Sequence, residues 1–134
     1  MGPVLINATG GLMANPYAWT KQANLLILES PAGVGYSYCA AMAEGGSCHN
    51  TDISTAAAAR AAIQDFFSTK FPELKAGSFY ITGESYAGVY IPTLADEILR
   101  NAPEVPLRGV AVGDPCTDTP AQAQAFDMLW SVIP

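Results

Sequence analysis

Charge is what this sequence has least of: Asp, Glu, Lys and Arg together make up 13% of its 134 residues, about half the share of an average soluble domain. So few charged groups cannot coat a closed globule, which implies a surface that further protein normally encloses. Basic residues are the scarcer kind, six against twelve acidic, for a net charge of −6. That is the wrong sign for tracking a phosphate backbone or an anionic lipid surface, so nucleic acid and membrane partners are not expected. Long apolar runs are missing as well. The longest purely aliphatic one, Leu25-Leu26-Ile27-Leu28, falls far short of the roughly 20 residues of a membrane-spanning helix. The first fifteen residues hold no basic flank followed by an apolar core, so no export signal is visible, and position 6 is Ile where a myristoylation pattern needs Ser or Thr. Gly and Pro, 12 and 10, stay below the roughly 25–30% of low-complexity chains. What remains is one compact domain or part of one; the length does not suffice for two.

Between residues 51 and 71, Ala56, Ala59, Ile63, Phe66 and Phe67 recur at helical spacing behind the cap-type residues Asn50, Thr51 and Ser54 and ahead of Pro72, which predicts a helix. The runs 25–28, 79–82 and 107–112 are short, apolar and bounded by Gly, Pro or Asn, as expected of strands buried on both faces of a parallel sheet. A second helix is predicted over 86–101, kinked or divided at Pro92. The order β-α-β-α-β is that of an α/β protein with a mostly parallel sheet and flanking helices. Segments 2–21, 33–50 and 115–134 read as irregular, with no repeat. The apolar stretch Met128-Leu129-Trp130-Ser131-Val132-Ile133-Pro134 is an odd end for a domain, and truncation is the expected explanation.

Directly after the strand at 79–82 stands Gly83-Glu84-Ser85-Tyr86-Ala87-Gly88, followed by the second helix. This is the strand–turn–helix setting of a nucleophile elbow, in which so tight a turn strains the serine backbone, needs small residues two positions either side, and leaves Oγ exposed. Gly83 and Ala87 occupy those positions. The helix N-terminus faces the serine, and the Tyr86 N–H is placed to donate to an oxyanion. Gly-x-Ser-x-Ala alone is a weak pattern, so the strand and helix around it carry the reading.

The longer segment Gly83-Glu84-Ser85-Tyr86-Ala87-Gly88-Val89-Tyr90-Ile91-Pro92 closely resembles the nucleophile segment of the serine carboxypeptidases. Asn24-Leu25-Leu26-Ile27-Leu28-Glu29-Ser30-Pro31-Ala32-Gly33-Val34-Gly35-Tyr36-Ser37-Tyr38 resembles their upstream strand and loop. Asn15-Pro16-Tyr17-Ala18-Trp19, Phe66-Phe67 with Phe71-Pro72, and Gly113-Asp114-Pro115 are similar to that family too, so the likeness runs through nearly the whole chain. It implies an α/β-hydrolase fold, no cofactor, and a serine, an aspartate and a histidine, in that chain order, that remove single residues from peptide C-termini. Only the serine carries over, as Ser85. The family's acid and histidine lie far downstream, whereas 49 residues follow Ser85 here and the single histidine, His49, precedes it. His49 is therefore expected to be a solvated loop residue. The family's Asn-Gly-Gly-Pro-Gly oxyanion loop and a carboxylate-binding glutamate, which precede the Gly-Pro seen here as Gly2-Pro3, are absent, and Gly10-Gly11 do not replace them. Residues 1–134 thus resemble the second quarter of a longer domain, cut at both ends, with the remainder of that domain as an expected partner.

The resemblance also explains an acid beside the nucleophile. In the family the glutamate at the Glu84 position shares a proton with a second carboxyl group and binds the substrate's C-terminal carboxylate; that second group is missing here. Asp114, on the loop after the strand at 107–112, invites assignment as the triad acid, but Gly113-Asp114-Pro115 matches a family turn and a turn role is expected. Gly33-Val34-Gly35 fails as a dinucleotide loop because position 38, where the third glycine belongs, is Tyr. Cys39, Cys48, Cys116 and His49 lack the close paired spacings of a structural zinc site, and no metal is expected. Cys39 and Cys48 flank a short Gly-containing loop in a family of oxidised compartments and are the disulfide candidate, with Cys116 pairing elsewhere. Asn7-Ala8-Thr9 is a glycosylation sequon, meaningful only if the intact protein enters the secretory route that the family generally uses, to secreted, vacuolar or lysosomal destinations; the alternative is a chance triplet. The expected function is serine-type carboxypeptidase, present as an inactive fragment. The alternatives are a carboxypeptidase-like acyltransferase using the same elbow, which Glu84 disfavours, and a non-catalytic fragment that binds a partner through apolar faces.

Overall fold

The computed structural model describes residues 1–123. Among them the elements run β1 (Val4–Ile6), β2 (Leu12–Ala14), α1 (Ala40–Ala43), α2 (Asp52–Asp65), β3 (Phe79–Glu84), α3 (Ala87–Asn101) and β4 (Leu107–Gly113). Helix α2 begins where the sequence supplies a reciprocal cap: Thr51 Oγ1 accepts from the Ser54 N–H at 3.1 Å, and Ser54 Oγ accepts from the Thr51 N–H at 2.9 Å. Asp52 in the first turn adds a negative charge at the positive end of the helix. The helix loosens into a π turn over Phe66–Lys70 and stops at Phe71, which precedes a proline and leaves the helical region at φ −139° and ψ 59°.

Strands β3 and β4 pair in parallel, Ile81 opposite Val110 and Glu84 opposite Gly113, joined by α3 as a βαβ crossover. Pro92 lies inside α3 and does not divide it. Thr93 Oγ1 donates to the Val89 and Tyr90 carbonyls at 2.7 and 3.0 Å, a side-chain donor in the turn that the missing Pro92 N–H weakens. Ile63, Phe67, Ile98, Ala102 and Val105 are buried where α2, α3 and the turn before β4 meet, with Phe79, Ile81 and Leu107 of the sheet packed on them. The Phe67 and Phe79 rings meet edge-to-face, centroids 5.2 Å apart. At the rim, Arg60 pairs with Glu97 at 3.4 Å and hydrogen-bonds Gln64 at 2.8 Å, tying the two helices together.

The expected strand at 25–28 is not formed. An apolar run becomes a strand only beside another strand, and the described strands pair as two separate couples, β1 with β2 and β3 with β4. Ile27 is left 73% exposed. Conversely, segment 2–21, read as irregular, contains an antiparallel hairpin with Val4 opposite Ala14 and Ile6 opposite Leu12. Residues 119–123 are helical, and the apolar stretch from Met128 to Pro134 lies outside the described residues. Among the described residues much apolar surface is open: Leu5, Ile6, Leu12, Tyr17, Tyr36 and Tyr38 all face outward.

Cys39 and Cys48 are bonded, with their Cα atoms 5.9 Å apart, and Gly33, at φ +93°, lies so close to Cys48 that an added Cβ would sit 3.0 Å from Sγ. Closing the short loop between the two cysteines restricts the unfolded chain. Replacing both by Ser is expected to lower stability by about 2–3 kcal/mol, read as a fall in the urea midpoint with little change in slope.

Candidate active site

Ser85 lies between the last residue of β3 and the first turn of α3 with φ 62°, a left-handed backbone that costs a non-glycine residue about 1–2 kcal/mol. Three backbone hydrogen bonds hold it there. Its N–H donates to the Gly113 carbonyl at 3.0 Å, and its carbonyl accepts from the N–H groups of Gly88 and Cys116 at 3.0 and 2.9 Å. The turn after β3 is thus clamped against the turn after β4, where Asp114 is also left-handed at φ 39°.

Two glycines make this packing possible. A Cβ on Gly83 would lie 2.5 Å from Ala87 Cβ and 3.1 Å from Ile91 Cδ1. A Cβ on Gly88 would run into the Cys116 carbonyl oxygen and come within 2.8 Å of Cys116 N and Pro115 Cβ. Small residues on either side of Ser85 are therefore a steric requirement of the observed turn.

Glu84, Ser85 and Tyr86 are all exposed. Among the described residues, neither the Ser85 hydroxyl nor the Tyr86 N–H has a hydrogen-bond partner. The Tyr86 ring packs edge-on to Tyr90, centroids 4.8 Å apart, and its hydroxyl donates to Asp52 Oδ1 at 3.3 Å. The Asp52 negative charge beside it holds the Tyr86 phenol above its ordinary value. This contact links the N-terminus of α3 to that of α2, and nothing in the sequence pattern pointed to Asp52.

His49 is exposed beside Cys48 and makes no hydrogen bond to Ser85. Asp114 sits in the turn after β4 with a left-handed backbone at φ 39°. Cys116 is unpaired among the described residues. No group of three or more His, Cys, Asp or Glu side chains there could hold a metal, and the Cys39–Cys48 bond takes two of the four ligands that a zinc reading would need. Gly33 and Gly35 belong to a turn fixed by Glu29, a residue that sequence reasoning missed. The Glu29 carboxylate accepts from the Tyr36 N–H at 2.7 Å and fills the space that a side chain at Gly35 would occupy. Of the surface hollows, one is lined by Pro16, Trp19 and Gln22 and another by Gly33, Met42 and Asn50. Neither includes Glu84, Ser85 or Tyr86, which lie on open surface.

The fold and this turn define an α/β protein that presents a strained serine between a parallel strand and a helix N-terminus. A family model described as serine carboxypeptidase matches residues 1–132. Serine carboxypeptidase ctsa-4.1 of Caenorhabditis elegans is 46% identical over 122 residues, covering 90% of this chain and 25% of that protein. Lysosomal protective protein of Mus musculus is 46% identical over 84% of this chain and 23% of its own length. Serine carboxypeptidase-like 31 of Arabidopsis thaliana is 39% identical over 98% and 28%. The chain belongs to the serine carboxypeptidase family, and it spans about a quarter of the length of these relatives.

Proposed function

We propose that residues 1–134 are part of an α/β-hydrolase domain of a serine-type carboxypeptidase and that the turn at Ser85 is its nucleophile elbow. The observation that carries this is the left-handed Ser85 held by Gly113, Gly88 and Cys116, a strain that a turn serine without a task would not need. Ser85 is the nucleophile. The Tyr86 N–H, free at the start of α3, donates to the oxyanion of the tetrahedral intermediate. Glu84, at the end of β3, binds the C-terminal carboxylate of a peptide substrate through a shared proton. The Cys39–Cys48 bond and the lysosomal relative support an oxidising, secreted or lysosomal setting. No described helix is long and apolar enough to cross a membrane.

The test is made in the whole hydrolase domain. Glu84→Gln is expected to lower kcat/KM about 10–100-fold on peptides with a free C-terminal carboxylate, the loss of one charge-assisted hydrogen bond. The loss should appear in KM and leave C-terminally amidated substrates unaffected. Equal losses on both substrates would remove the carboxylate role, and unchanged fluorophosphonate labelling of Ser85→Ala would remove the nucleophile.

A further inference from the structure

The hairpin at the front of the chain carries a feature that the carboxypeptidase reading does not use. Of the five asparagines at positions 7, 15, 24, 50 and 101, only Asn7 is followed two residues later by Ser or Thr, as Asn7-Ala8-Thr9-Gly10 with no proline to block it. The structure puts this tripeptide at the tip of the β1–β2 hairpin, between Ile6 and Leu12. Asn7 Oδ1 accepts from the Thr9 N–H at 3.0 Å, from the Thr9 hydroxyl at 2.9 Å and from the Gly11 N–H at 2.8 Å. The backbone closes around it, with Asn7 N–H to the Gly11 carbonyl at 2.9 Å and Gly10 N–H to the Asn7 carbonyl at 3.0 Å.

The carboxamide oxygen is thus occupied three times over, all within five residues. The amide nitrogen donates to no described group, and Asn7, Ala8 and Thr9 are all exposed. Gly10, at φ +81°, has open space around it. Among the described residues, a substituent on Nδ2 therefore costs no hydrogen bond and displaces no packed side chain. The disulfide at Cys39–Cys48 supports an oxidising compartment, the kind in which the modifying transferase works.

From this geometry we infer that Asn7 is an N-glycosylation site, presented by an Asx-type turn in which Thr9 positions its carboxamide. In the reaction Nδ2 forms a bond to the anomeric carbon of a lipid-diphosphate-linked oligosaccharide. The bond from that carbon to the diphosphate oxygen breaks, the lipid diphosphate leaves with the electron pair, and one amide proton passes to the transferase's base. No electrons are gained or lost. The glycan stands on the hairpin tip, beyond the Ile6 and Leu12 pair.

The test is translation of the full chain behind a cleavable secretory leader and an acceptor tag that carries its own sequon, in eukaryotic cells. The tag's glycan marks chains that reached the lumen. The wild-type chain is expected to carry two glycans removable by peptide N-glycosidase, with Asn7 converted to Asp in the released peptide. Asn7→Gln and Thr9→Ala are each expected to carry one, and Thr9→Ser, which keeps the hydroxyl, to carry two. Ser85→Ala is expected to carry two as well, so the result is independent of the catalytic proposal. A wild-type chain with the tag glycan alone, or an Asn7→Gln chain that still carries two, overturns the assignment.

Discussion

Purified alone, the 134-residue chain is expected to leave a fluorophosphonate probe as unreacted as its Ser85→Ala variant does, at any pH. A serine hydroxyl is a weak nucleophile until a base takes its proton. The one histidine in the sequence is His49, on an exposed loop and without a hydrogen bond to Ser85. The strained turn presents Oγ, and the start of α3 offers the Tyr86 N–H, but presentation does not ionise an alcohol. Absent triad partners cost about 10⁴–10⁶-fold in rate. A single missing oxyanion donor costs a further 10²–10³-fold, roughly, although such losses are not additive. The apolar groups that face outward also favour association of the isolated chain, so labelling is read on the monomer fraction after size separation. Rapid stoichiometric labelling of the monomer that disappears in Ser85→Ala would show that a group within the chain, His49 first among them, activates the serine.

The elements legible in the sequence are those whose cause is local. The Thr51 and Ser54 cap, the apolar runs that became β3 and β4, and the small pair Gly83 and Ala87 flanking Ser85 all act within a few positions of themselves. Pairing extended both strands beyond the apolar run, because Gly83 and Glu84 find Val112 and Gly113 opposite them. Residues 25–28 show the limit of such reading: periodicity reports that a run is apolar, not whether a neighbouring strand exists to receive it. The hairpin was invisible for the opposite reason, its strands of three residues each being too short to display an alternation. Glu29, Asp52 and Cys116 escaped because their contacts lie 7, 34 and 31 residues away along the chain, at Tyr36, Tyr86 and Ser85. No spacing rule links such positions before the chain has folded.

Gly88→Val is expected to destabilise the chain by about 3 kcal/mol, the upper end for forcing a side chain into occupied space. Propensity alone predicts the opposite sign, since Gly inside a helix is about 0.5–1 kcal/mol worse than Ala and most residues improve on it. Sterics should win because the obstruction is backbone. The Cys116 carbonyl and amide that a Cβ would meet are fixed by the bond from Cys116 N–H to the Ser85 carbonyl, and the neighbouring Gly113 carbonyl by the Ser85 N–H. Neither can rotate aside as a side chain would. Relief requires the turn after β4 to move away from α3, which breaks the bonds that hold Ser85 left-handed. Gly109→Ala is the matched control, because a Cβ there would meet only the Tyr80 ring at 3.4 Å, an ordinary contact, and should change stability by no more than about 0.5 kcal/mol. Urea unfolding of the two variants against the wild type separates the cases. If Gly88→Val unfolds at the same midpoint as Gly109→Ala, the close approach of Cys116 to α3 is not what holds the serine turn in place.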